Sequence, residues 1–115
     1  MIIGWQDMQS IEYSDDYHCE HFAADVHLFL TSIDISDYLL SGRFALPINL
    51  RNFNKIDTPS QHCIVLMRDK AKAHIGIWYD NAVLHLGARG VVHQTLDAAC
   101  LGFNRVSFYE VKTCK

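Results

Sequence analysis

The chain has 115 residues, half of them hydrophobic, 11% aromatic and 20% charged. This suits a single domain (1-115) with one core and excludes a disordered chain. The formal charge of −3, with Lys and Arg scattered, argues against a nucleic-acid partner. The N-terminus from Met1 to Asp7 has no basic region, long apolar run or small-residue cleavage site. Synthesis in the cytoplasm without a signal peptide is therefore expected, and no stretch reaches the length needed for membrane insertion. Cys19, Cys63, Cys100 and Cys114 are widely spaced, so they are read as reduced thiols and not as a disulfide framework or zinc ribbon.

In chain order, Ser14, Asp15 and Asp16 are N-cap candidates, and Cys19, Phe22, Val26, Phe29 and Leu30 recur at helical spacing. A helix is predicted from Asp16 to Leu30, with Cys19 on the apolar stripe of its first turn. A shorter helix is predicted around Ser36 to Leu40, then a loop from Pro47 to Pro59 long enough to border a cleft. From Cys63 onward the texture is that of strands, at Cys63–Met67, Ala73–Tyr79, Ala82–Leu86, Val91–Gln94 and Arg105–Val111, with a short helical stretch near Thr95 to Cys100. Asp80-Asn81 tolerates the positive φ of a two-residue hairpin turn. Helices first and an antiparallel meander afterwards predict an α+β domain, with N-terminal helices packed on one face of the sheet.

The hairpin fixes a register in which Tyr79 pairs with Ala82, Trp78 with Val83, Ile77 with Leu84 and Gly76 with His85. Side chains alternate, so His74, Gly76, Trp78, Val83 and His85 share one face, while Ile75, Ile77, Leu84 and Leu86 fill the other. His74 and His85 become diagonal neighbours, and Gly76 leaves room for their rings. A thiol at a helix start is biased towards thiolate, which a neighbouring imidazolium reinforces. Cys19, His74 and His85 thus form a candidate set of nucleophile, base and orienting group. His18, Cys19, His21, His62 and Cys63 also suggest zinc, but only His18 and His21 converge on a helix, and structural sites take four ligands at tighter pairings. No metal or other cofactor is assigned. Trp78 is read as a wall of the cleft or as core, and Cys63, Cys100 and Cys114 as structural thiols.

The segment Tyr17-His18-Cys19-Glu20-His21-Phe22-Ala23-Ala24-Asp25-Val26 resembles the nucleophile helix of the NlpC/P60 peptidases. His74-Ile75-Gly76-Ile77-Trp78 resembles their base strand, and His85 falls where they place an orienting polar residue. The resemblance runs from Tyr13 onward and is nearest to compact versions in phage and prophage tail modules. It implies a papain-like fold and a cysteine peptidase acting on an amide bond of peptidoglycan stem peptides, at the bacterial cell wall and in association with phage tail proteins. It further implies that Tyr13 or Tyr17 polarises the substrate carbonyl, and that His18 and Glu20 stand where the family grips the substrate's free amine. The family often has Asp-Cys-Ser-Gly where this chain has His18-Cys19-Glu20-His21, and the glycine-rich loop before the cysteine is reduced to Tyr13 to Asp16. The alternatives are a tail assembly or tail-tip interaction protein, and a cysteine-dependent acyltransferase or other amide hydrolase.

Overall fold

A computed structural model describes residues 19–35, 53–69, 73–87 and 90–111. Helix α1 spans Cys19–Thr31 and a second, α2, spans Leu96–Ala99. Six strands, β1 (Phe53–Ile56), β2 (Ile64–Arg68), β3 (Ala73–Tyr79), β4 (Ala82–Gly87), β5 (Gly90–Gln94) and β6 (Arg105–Val111), form one antiparallel sheet in the order β1-β6-β2-β3-β4-β5.

The expected papain-like α+β arrangement is corrected by this architecture. The described residues are 48% strand and 24% helix, and among them no layer of N-terminal helices covers the sheet. Of the two helices expected there, α1 makes its main contacts with β3 and β4, and the stretch from Ser36 to Leu40 lies outside the described residues. Nor is the sheet a simple meander, because β6 inserts between β1 and β2. Strand β1 falls inside the stretch read as a loop. Among the described residues no helix is long and apolar enough to cross a membrane.

Alternation along the strands sorts the core into two layers. Ile64, Leu66, Ile75, Ile77, Leu84, Leu86 and Tyr109 join Cys19, Phe22, Ala23 and Val26 of α1 on one face. Cys63, Val65, Met67, Val83 and Phe108 face the other way, under Leu96 and Ala99 of α2 and the nearby Phe103. Strand β2 is thus buried on both faces, which explains its unbroken run Ile64-Val65-Leu66-Met67. Thr95 caps α2, its hydroxyl accepting from the Ala98 amide at 3.3 Å.

The β3–β4 hairpin has the anticipated turn, with Asp80 at φ 51° and Asn81 at φ 61°. Its ladder pairs Tyr79 with Ala82, Trp78 with Val83 and Ile77 with Leu84. It stops there, short of the expected Gly76–His85 pair. Backbones still crowd at that point: a Cβ on Gly76 would lie 2.8 Å from Val83 Cγ1 and 3.0 Å from His85 Cβ. Only glycine fits.

Candidate active site

The last β3–β4 ladder pair is Ile77–Leu84, and His74, Ile75 and His85 lie beyond it. The Trp78 amide donates to the Cys63 carbonyl, so by alternation the Ile75 amide points away from β2 towards β4, where no ladder partner meets it. That amide acts on the Cys19 thiol, favouring its ionised form. The Cys19 S–H is directed to Glu20 Oε1 at 3.6 Å. Cys19 is 8% exposed, among Phe22, Ile75 and the rest of the α1-side core. Burial pushes its thiol up to about 11 against the pull of the Ile75 amide, and the Glu20 carboxylate adds to the rise. At rest Cys19 is therefore a neutral thiol, whereas its place on the helix suggested a thiolate.

His74 and His85 come together as their register requires. The rings meet edge to face with centroids 4.9 Å apart, and His74 Nε2 lies 2.8 Å from His85 Nδ1. Both belong by alternation to the face opposite α1, where His74 stacks on Phe103 at 6.1 Å. Thiol and imidazole thus approach the same turn of β3 from different sides, the sulfur at the Ile75 amide and the ring one residue earlier.

The relay has a third member that sequence reasoning missed. His85 Nε2 lies 2.6 Å from Gln94 Oε1, on β5. An amide oxygen can only accept, so His85 carries its proton on Nε2. Burial lowers the His85 pKa, an effect the Gln94 bond partly opposes, and the ring is neutral near pH 7. Its Nδ1 is then a lone pair, to which His74 Nε2–H donates. Neutral His74 consequently has its proton on Nε2, and Nδ1 is its acceptor atom. Val92 pairs with His85 and Val83 with Gln94, so Gln94 is a diagonal neighbour of His85 across the β4–β5 ladder. The signal available in the sequence was the two-residue step from Val92 to Gln94 once the Arg89-Gly90 turn was placed.

Of the expected substrate-binding residues, Glu20 sits against the Cys19 thiol. Trp78 packs edge-on against Phe108 and, with Pro59, Gln61, Tyr79, Asp80 and Asn81, borders a cleft of about 430 Å³ at the hairpin end. Tyr13, Tyr17 and His18 lie outside the described residues. Cys63 and Cys100 are free thiols, and Cys63 is buried with its pKa raised to about 11, chiefly by desolvation. Among the described residues no group of three or more His, Cys, Asp or Glu side chains is arranged to hold a metal ion.

No family model matches the chain, and no curated protein or solved structure matches it either.

Proposed function

We propose, from the chemistry of Cys19, His74, His85 and Gln94, that the chain is a cysteine-dependent amide hydrolase. The observation that carries this is the polarity of the His74–His85–Gln94 relay, which holds the His74 ring through Nε2 and makes Nδ1 its acceptor atom, one residue before the Ile75 amide that acts on the Cys19 thiol. A protonated resting thiol calls for a base that acts during attack. The thiol and the His74 ring lie to different sides of β3 at rest, so substrate binding has to bring them together. His74 Nδ1 then takes the Sγ proton as sulfur adds to the carbonyl carbon, and His85 Nδ1 holds the resulting imidazolium through its Nε2–H. The imidazolium then protonates the leaving amine. Water attacks the thioester with His74 again as base, releasing the acid and restoring the thiol.

The motif resemblance around Cys19 and His74 suggests peptidoglycan stem peptides as the substrate and a phage tail as the setting. Digestion of defined muropeptides tests this, with Cys19→Ala and His74→Asn as controls. Product from the natural chain and at least a hundredfold less from either variant is expected. Equal product from Cys19→Ala would overturn the assignment.

The burial of Cys19 favours a second reading, a tail interaction module that keeps the thiol as a core residue. Iodoacetamide labelling at pH 8 bears on it. A thiol at about 11 has about 100-fold less thiolate there than one at 9. Slow labelling with no acyl adduct on Cys19 by mass spectrometry after muropeptide is added supports the module, and an acyl adduct on Cys19 supports the hydrolase.

A further inference from the structure

His27 is a histidine on the buried side of α1, only 4% exposed, near the opposite end of the helix from Cys19. Its Nδ1 lies 3.0 Å from the Ile33 carbonyl oxygen and 3.1 Å from Thr31 Oγ1. The Thr31 hydroxyl gives its proton to the His27 carbonyl at 2.7 Å, so towards the ring it can only accept. Two acceptors at Nδ1 fix the proton there, and burial holds the ring neutral by lowering its pKa. Neither bond uses Nε2, which is left as a lone pair.

This ring lines a cleft of about 290 Å³ together with Thr31, Ser60, Gln61, His62 and Glu110. Glu110, exposed on β6, accepts from the Ser60 hydroxyl at 3.3 Å. Helix α1 brings its carbonyl end to the same place and has no basic residue in its last turn. Ile33 and Val111 add apolar wall. A carboxylate, an imidazole lone pair and the negative end of a helix disfavour an anion, and the His, Cys and Glu side chains here are not arranged as a metal site.

We propose that this cleft binds the ammonium group of a short aliphatic amine, such as a lysine-type side chain, with Glu110 and His27 Nε2 accepting its hydrogen bonds and Ile33 and Val111 covering its methylenes. Along α1 (Cys19–Thr31), His27 and Thr31 of the cleft stand roughly 12 and 18 Å along the helix axis from Cys19. The proposal therefore stands apart from the hydrolase chemistry.

Titration of the full chain with n-butylammonium chloride at pH 8, followed by amide and imidazole ¹⁵N NMR, tests it. Saturable shifts confined to residues 31–33, 60–63 and 110–111 are expected, with the His27 Nε2 resonance moving as it accepts a hydrogen bond. Glu110→Gln, at an exposed position that keeps the Ser60 contact, should weaken binding at least tenfold, and neutral n-butanol should leave these resonances in place. Non-saturating shifts, an equal response to n-butanol, or unchanged affinity in Glu110→Gln would overturn the proposal. So would saturable zinc binding at these residues without any response to the amine.

Discussion

Gln94 sets the direction of the whole relay, because its amide oxygen is the one member that can only accept. Replacing it by leucine removes that acceptor and leaves His85 free to move its proton from Nε2 to Nδ1. His74 would then lose its fixed acceptor at Nε2 and with it the lone pair on Nδ1. Gln94→Leu should lower turnover about tenfold or more while KM changes little, as expected of a positioning residue. Imidazole ¹⁵N shifts provide the independent readout, with His85 changing from one tautomer to a mixture. A variant whose tautomers and turnover both match the natural chain would show that the relay direction does not depend on Gln94.

At the scale of elements, the hairpin that builds the site depends on two non-glycine residues in the left-handed region, Asp80 and Asn81. Asparagine tolerates this conformation better than alanine, so Asn81→Ala should destabilise by about 1 kcal/mol, read as a lower urea midpoint with an unchanged slope. That turn was legible because Asp-Asn sits between two alternating apolar runs, and so were β3, β6 and the shared face of His74 and His85. Strand β1 was not. Its apolar ends Phe53 and Ile56 flank exposed Asn54 and Lys55, and its partner β6 lies more than fifty residues further on, so nothing local distinguishes it from a loop. The same non-local pairing places β6 inside the sheet and overturned the anticipated meander. Chemistry was legible as residue types but not as environment: the position of Cys19 near a helix start suggested thiolate, and only the packing of Phe22, Ile75 and their neighbours shows a desolvated thiol.

For the whole molecule, buried titratable groups set the pH range in which the fold is stable. His27 and His85 both have pKa values lowered by burial. The unfolded chain therefore takes up protons first as pH falls below the ordinary imidazole value, and stability declines on the acid side. Cys19 and Cys63 are raised to about 11. The unfolded thiols ionise first as pH rises, so stability also declines between the ordinary thiol value and about 11. Urea midpoints measured from pH 5 to pH 10.5 should be highest between about 7 and 8.5. His85→Gln should flatten the acid limb, and a limb as steep as that of the natural chain would show that other groups control it.

Among the described residues β5 is an outermost strand of the sheet, paired on one side only, with β4. Outer strands are the segments that detach first in sub-global opening, at a free energy well below that of complete unfolding. Since Gln94 is the last residue of β5, the protonation pattern at His74 lasts only as long as this strand stays docked. Amide exchange of residues 91–94 and the tautomer lifetime of His74 should then share one opening rate, so a ligand that pins β5 would tune the base without touching it.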